Sequence, residues 1–191
     1  MRRGAALDDE HASVNSFLAR LLALVLLRCG PQDLPFDARL LLRLLAAWVL
    51  LQLFVQHVWL DSGAGAGQLL LVLGFLLLPI HVLLALRGRR ARFVQTALGF
   101  VGASLLFGLV LLPGVQVLQG IDPQRVEAEG LTALQALASW AYLILTAWKL
   151  AVDAHIWRNA LDWPPPLAIA TSLALFLVEV AALSRLAGAS E

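Results

Sequence analysis

Three ionisable side chains stand inside long apolar stretches in the last quarter of the sequence: Lys149, Asp153 and Glu179. Charged groups are costly in hydrocarbon, so each is a candidate for a functional role with a partner close by. Lys149 and Asp153 are four residues apart and therefore share one face of a helix. An ammonium beside carboxylates in an apolar environment can form an ion pair, or it can take part in moving a proton or an ion.

Counting along the chain predicts that Lys149 and Glu179 meet. Each lies fifteen residues from Pro164, one before it and the other after it. Antiparallel helices rise equally per residue, so the two side chains should reach the same depth and meet across the helix pair. One interpretation is a neutralised ion pair that holds the two helices in register. The other is a proton or ion relay in which Glu179 exchanges the proton and Lys149 and Asp153 are its neighbours.

A second polar group is predicted near the arginine-rich turn 87–92. Counted from that turn, His81 lies within about one helical turn of the depth of Gln95 and Thr96. An interhelical hydrogen bond is the expected use of these side chains. The four histidines and the single cysteine, Cys29, have no tight ligand spacing, so no metal site is expected. Phosphate-binding and hydrolase motifs are also missing from the sequence, and we expect neither a cofactor nor an enzyme.

The apolar composition determines the elements that position these side chains. The 191 residues are 60 % hydrophobic and only 14 % charged, which a soluble domain of this size would not tolerate at its surface. The expected fold is all-α: a polytopic integral membrane helical bundle with five transmembrane helices in one domain, 37–187, and a short tail, 188–191. The predicted spans are about 38–60, 68–86, 93–118, 131–157 and 167–186.

A cytoplasmic N-terminal segment, 1–36, precedes the spans and contains a shorter apolar helix at 13–29. Its uninterrupted apolar part, 21–27, is too short to cross a bilayer. An interfacial amphipathic helix with its arginines at the headgroups is one prediction, and a helix packed on the protein's own cytoplasmic face is the other. Acidic residues 8–10 follow the basic start and argue against a cleavable signal peptide, so we expect the mature chain to begin at or near Met1.

The arginines are distributed asymmetrically along the predicted path. With the N-terminus inside, eleven arginines are cytoplasmic and two are outside. Positive residues favour the cytoplasmic side, so the N-terminus is predicted to be cytoplasmic and the C-terminus periplasmic. Richness in leucine, alanine and arginine with a single lysine indicates a GC-rich bacterial genome and hence an inner membrane. The inside set is Arg2, Arg3, Arg20, Arg28, Arg39, Arg43, Arg87, Arg89, Arg90, Arg92 and Arg158, and the outside set is Arg125 and Arg185.

Some of these arginines are predicted to contact anionic lipid headgroups or a protein partner. They belong to the 13–29 helix and to the basic loop 87–92. The contact set is Arg20, Arg28, Arg87, Arg89, Arg90 and Arg92.

The segment Trp148 to Ile156, WKLAVDAHI, is followed by a short polar turn and a final apolar span. It resembles the closing segment of the Yip (Ypt-interacting protein) family of small five-span membrane proteins. The layout of 38–186 is similar as well, with a cytoplasmic N-terminal segment and a short C-terminal end outside. Eukaryotic members of that family are adaptors in vesicle traffic, so the resemblance implies a non-enzymatic role.

The sequence therefore favours a non-enzymatic scaffold or accessory subunit of a membrane complex, with membrane lipids and either a protein partner or further copies of itself as partners. The alternative is a small oligomeric transporter or channel subunit that uses the Lys149, Asp153 and Glu179 group. No nucleic-acid partner is expected, because the net charge of the chain is only +1.

Overall fold

The computed structural model describes residues 15–59, 66–119, 121 and 130–188. Throughout these ranges the regular elements are helices and no strand occurs, which confirms the predicted all-α class. Several predictions fall outside the described residues: those on Arg2, Arg3 and Arg125, and those on the connections 61–65 and 122–129. The long elements are α1 (Asn15–Val25), α2 (Ala38–Trp59), α3 (Ala66–Leu86), α4 (Phe93–Gln119), α5 (Ala133–Leu161) and α6 (Pro165–Gly188).

Four of the described helices, α2, α3, α4 and α6, are long and apolar enough to cross a membrane. This composition is compatible with an integral membrane protein. The fifth predicted span, α5, has 29 residues and so is long enough, at about 1.5 Å per residue, to cross the hydrocarbon. Lys149 and Asp153 interrupt its apolar sequence, and α5 is not among the four.

The ends of α5 and α6 follow local chemistry. Thr132 caps α5: its hydroxyl accepts a hydrogen bond from the Gln135 amide at 3.3 Å, while the Gln135 side chain accepts from the Thr132 amide at 3.0 Å. α6 begins at Pro165, two residues before the predicted start. Proline is tolerated in the first turn of a helix because the amides there have no intrahelical acceptor.

The centre of the bundle is α4. Its residues Ala97, Leu98, Val101 and Ala103 are fully buried. α2, α3 and α5 pack against it, and α6 packs on α5. Small side chains allow these close approaches, as at Gly108, where an added Cβ would lie 2.9 Å from a methyl group of Leu51 on α2.

The short helix α1 packs on the bundle through one of its two apolar faces. Phe17, Leu21 and Leu24 are 4, 2 and 0 % exposed. An added Cβ on Gly102 of α4 would lie only 2.7 Å from Leu21 Cδ1, and one on Gly99 would lie 3.5 Å from Leu24 Cδ2. The face of α1 that carries Phe17, Leu21 and Leu24 therefore packs on the protein itself, which is one of the two predictions for this helix. Leu18 and Leu22 lie away from the bundle and are exposed, as is Leu26 directly after the helix.

The end of α1 is fixed to α5. The chain leaves the helix at Leu27, whose φ of 61° is left-handed. Trp148 Nε1 donates to the carbonyl of Val25 at 3.2 Å, and His155 Nε2 lies 2.9 Å from the carbonyl of Cys29. The thiol of Cys29 turns back to the carbonyl of Arg20, with a sulfur to oxygen distance of 3.4 Å. α1 is thus fastened at its buried face and at its C-terminal end.

The connection that follows α1 lies against the start of α4. Gln95 Nε2 donates to the carbonyls of Gln32 and Leu34, at 3.1 and 2.8 Å. Arg20 Nη1 donates to the carbonyl of Asp33 at 3.0 Å. These bonds satisfy carbonyl groups that the short 3₁₀ turn at Pro31–Asp33 leaves without helical partners.

Asp162 ends α5 and joins it to the basic loop. Its φ of 50° is left-handed, a conformation that aspartate tolerates at a helix C-terminus. The Asp162 carboxylate accepts hydrogen bonds from Arg89 and Arg92, and Arg92 also donates to the carbonyls of Asn159 and Ala160 at 3.3 and 3.1 Å. The hydrogen bond from Arg89 holds the pKa of Asp162 below its usual range, against a smaller opposing effect of desolvation.

Candidate functional site

A cavity of about 300 Å³ lies inside the bundle and is partly open to the outside. α2, α3, α4, α5 and α6 all contribute to its walls. Most of the lining is aliphatic or aromatic, with a smaller set of polar side chains among it. The polar residues that line the cavity are Gln52, Ser104, Thr146, Lys149, Asp153, Ser172 and Glu179.

Lys149 and Asp153 form an ion pair at the cavity wall. The ammonium nitrogen lies 2.7 and 2.6 Å from the two carboxylate oxygens, and the side chains are only 21 and 18 % exposed. Spacing of four residues on α5 brings them together without any other helix. The two charges therefore compensate each other within α5.

Glu179 of α6 lines the same cavity. Both Lys149 and Asp153 lie close enough to act on its carboxylate electrostatically. Within the described part of the chain, however, Glu179 forms no salt bridge, and the ammonium of Lys149 is held by Asp153.

The predicted direct contact between Lys149 and Glu179 is therefore wrong, although both reach the same cavity. Residue counting gives height along a helix but not the direction of a side chain around it. Asp153 is only one turn away from Lys149 on the same helix, so the ammonium pairs with Asp153 and not with Glu179.

Ser172 is a cavity residue that sequence reasoning missed. It is 5 % exposed, and its hydroxyl has no hydrogen-bond partner among the described residues. The neighbouring Thr171 instead donates to the carbonyl of Leu167 at 2.9 Å, as hydroxyls in helices commonly do. A buried hydroxyl without a partner costs about 1–3 kcal/mol, which a molecule bound in the cavity would offset. Its seven-residue spacing from Glu179, two helical turns, is the signal that places both on one face of α6.

Aromatic side chains form much of the remaining wall. Phe100 and Trp157 pack with their ring centroids 4.7 Å apart and tilted by 51°, which fixes the orientation of both rings. Pro79 also lines the cavity and has no amide hydrogen to donate to the carbonyl of Phe75, another lining residue. The aromatic lining residues are Trp48, Phe75, Phe100, Phe107, Trp157 and Phe176.

The predicted hydrogen bond of His81 with Gln95 or Thr96 is wrong. His81 is exposed, and its ring stands edge-on to Phe93, with centroids 5.8 Å apart and planes at 79°. Gln95 bonds to the connection after α1, and the Thr96 hydroxyl donates to the carbonyl of Arg92 in its own helical turn at 2.8 Å. Phe93 and Gln95 are two residues apart, about 200° around α4, so a side chain beside Phe93 does not reach Gln95.

The six arginines predicted to contact lipid or a partner divide into two groups. Arg20, Arg89 and Arg92 donate to acceptors within the protein and so have a structural role that the sequence did not predict. Arg28, Arg87 and Arg90 are exposed.

Comparison with known proteins found no matching protein family, no matching curated protein and no matching solved structure. The resemblance to the Yip family therefore stays a prediction.

Proposed function

We propose that the protein is a membrane-embedded transport protein, or a subunit of one, whose central cavity holds a small polar solute or ion during its passage. One observation carries this proposal: Lys149, Asp153 and Glu179 line a single cavity together with Ser172, whose hydroxyl has no hydrogen-bond partner in the part of the chain that the structure describes. Ionisable side chains inside membrane helices are retained chiefly where they line a path for ions, protons or solutes.

The height of these groups supports the proposal. Lys149 and Glu179 are each fifteen residues from Pro164, which corresponds to about 22 Å along their helices. That distance puts the cavity inside a hydrocarbon core of about 30 Å rather than at its surface. Binding sites well inside the bilayer are typical of transporters.

We infer that α5 crosses the membrane as a fifth span. It packs between α4 and α6, both of which are apolar enough to cross. Its two charges, Lys149 and Asp153, pair with each other and line the cavity, which lowers the cost of placing them within the membrane. The residues that line the cavity all belong to one chain, so the proposed solute site does not require a second copy.

The preferred location is a bacterial inner membrane with the N-terminus cytoplasmic and the C-terminus periplasmic. Arg20 bonds to Asp33, and Arg89 and Arg92 bond to Asp162, so all three reach connections between helices. A cytoplasmic position for these connections agrees with the tendency of arginine to remain on that side.

Flux into proteoliposomes tests the proposal. Full-length protein would be reconstituted and supplied with a defined mixture of amino acids, amines, sugars and carboxylates, while uptake is followed by mass spectrometry and internal pH by an enclosed dye. We expect uptake of a solute or of protons that Glu179→Gln abolishes. Asp37→Asn is the matched control, because it removes an exposed carboxylate at the start of α2 and asparagine is an equally good N-cap.

Wild-type liposomes that behave like empty ones for every solute and for protons would reject the transport proposal. Equal flux through the wild type and Glu179→Gln would reject the assigned role of the cavity.

An accessory or scaffold role is the second candidate. The exposed Leu18 and Leu22 of α1 and Leu26 directly after it favour this role, with the exposed arginines of the nearby turns as possible contacts for anionic lipid or a partner. Crosslinking in native membranes would test it: a stoichiometric protein partner that is lost when Arg28, Arg87 and Arg90 are replaced by glutamine is the expected result. A pure homo-oligomer would reject it.

A further inference from the structure

We propose that the cavity selects a small organic cation, an ammonium group with a compact apolar body. This inference rests on the transport function proposed above and names the class of solute that the same cavity takes. The charge of the cavity, its walls and its size each support the inference.

The charge of the cavity favours a cation over an anion. The Lys149 ammonium is held at 2.6 and 2.7 Å by Asp153, so it has little charge to offer a ligand. An ionised Glu179 then leaves one uncompensated negative charge in the cavity. A carboxylate away from water is costly without a partner, and a bound ammonium would supply that partner, whereas an anion would be repelled.

The walls suit an ammonium with an apolar body. Cations are attracted to the faces of aromatic rings, most strongly to tryptophan. Trp48 and Trp157 line the cavity and are 4 and 2 % exposed, so a cation beside them would be shielded from water. Pro79 and Phe75 also line the cavity, and Pro79 has no amide hydrogen to donate to the carbonyl of Phe75.

The size of the cavity favours a small molecule over a bare metal ion. A volume of about 300 Å³ is at the lower limit of ordinary ligand pockets. The hydroxyl of Ser172, which has no partner in the described part of the chain, would meet a polar group of the solute.

Binding of choline to the purified full chain in detergent tests the inference, with 3,3-dimethyl-1-butanol as the uncharged probe of the same shape. Fluorescence of the cavity tryptophans and calorimetry would report occupancy. We expect choline to bind at least about tenfold more tightly than the alcohol, and Glu179→Gln to remove that difference. Asp37→Asn should bind choline like the wild type. Ser172→Ala should weaken choline binding about threefold to tenfold, the usual loss for one hydrogen bond.

Equal affinity for the two probes, or unchanged choline binding in a monodisperse Glu179→Gln protein, would overturn the inference. So would the absence of choline binding. If Glu179→Gln is not monodisperse, the affinities of the wild type for choline and for 3,3-dimethyl-1-butanol test the inference, and Ser172→Ala serves as the second variant. Uptake of only neutral or anionic solutes in liposomes would reject the cation and leave the transport proposal standing. Choline binding in detergent without flux of any solute or of protons would reject the transport proposal and leave the cation site standing.

Discussion

The Lys149 ammonium contacts both carboxylate oxygens of Asp153, one turn further along α5, at 2.7 and 2.6 Å. Glu179 faces the same cavity without an ion pair in the described part of the chain. The three charges that stand out in the sequence thus fall into a self-contained pair and a separate carboxylate. The pair is suited to maintaining structure, whereas Glu179 is the group that the proposed solute would contact.

Breaking the Lys149 and Asp153 pair from one side should destabilise the protein. Removing one partner leaves the other charge uncompensated in a poorly solvated site, and we expect Lys149→Met or Asp153→Leu to cost about 2–3 kcal/mol, below the full buried-pair value because both side chains are partly exposed. The double variant Lys149→Met with Asp153→Leu should regain most of the loss. Denaturant unfolding in detergent measures all the variants, and a double variant as unstable as the sum of the single losses would contradict the pairing.

Asp162 should contribute stability that depends on pH. Its pKa is lowered in the folded protein, so the contribution is present above the unfolded value of about 3.9 and is lost as the pH falls through the folded pKa. Asp162→Asn keeps a residue that tolerates the left-handed backbone but removes the charge. We expect a small drop in Tm at pH 7, because Asp162 is exposed, and no difference from the wild type below the folded pKa. A difference that persists unchanged to acid pH would mean that the ion pair with Arg89 is not its cause.

A large side chain at Gly102 should displace α1 from the bundle. Even a single Cβ there would lie 2.7 Å from Leu21, which is itself buried. Gly74 of α3 has nothing within 4 Å of the same position and is the matched control. We expect Gly102→Ile to lower the Tm by several degrees and Gly74→Ile to change it little.

The single cysteine reports the same displacement. Burial of Cys29 raises the pKa of its thiol; the charge of Asp33 adds to this effect and that of Arg20 opposes it. Thiolates are the reactive form, so maleimide labelling of the wild type should be slow. Gly102→Ile should accelerate labelling several-fold, by loosening α1, whereas Gly74→Ile should not. Equal labelling rates in both variants would show that α1 does not depend on this contact.

Cysteine accessibility from the two sides of the membrane should reveal the fifth span. In a Cys29→Ser background, Ala91→Cys and Trp163→Cys are expected to react with an impermeant reagent from one side. Thr132→Cys, at the other end of α5, should react only from the opposite side. Labelling of positions 132 and 163 from the same side would mean that α5 does not cross.

The sequence predicts the helices well because lipid leaves few alternatives. A backbone in hydrocarbon must satisfy its own hydrogen bonds, so each long apolar run has to be helical. α2 begins at Ala38, directly after Asp37, whose carboxylate accepts hydrogen bonds from the amides of Arg39 and Leu40. α4 begins at Phe93, directly after the basic loop.

Contacts around the helix axis were beyond the sequence. Counting from Pro164 places Lys149 and Glu179 at the same height, and both line one cavity. The count does not predict which carboxylate pairs with the Lys149 ammonium. The predicted hydrogen bond of His81 is wrong for the same reason. Depth along α4 does not tell whether His81 lies beside Phe93 or beside Gln95, which point in different directions around the helix. The sequence leaves two predictions for α1 because an apolar face can lie equally well against lipid or against the protein. The spacing of seven residues places Ser172 on the same face of α6 as Glu179, but it does not show that the Ser172 hydroxyl is buried without a partner among the described residues.

The position of α1 has a consequence for how the chain is made. Trp148 donates to the carbonyl of Val25, which lies 123 residues earlier. Helix α1 therefore leaves the ribosome long before α4 and α5 exist to receive it. Until α4 and α5 have been translated, the leucines of α1 must remain at the membrane surface or bound to a chaperone. The docking of α1 is therefore among the last steps in the folding of this protein.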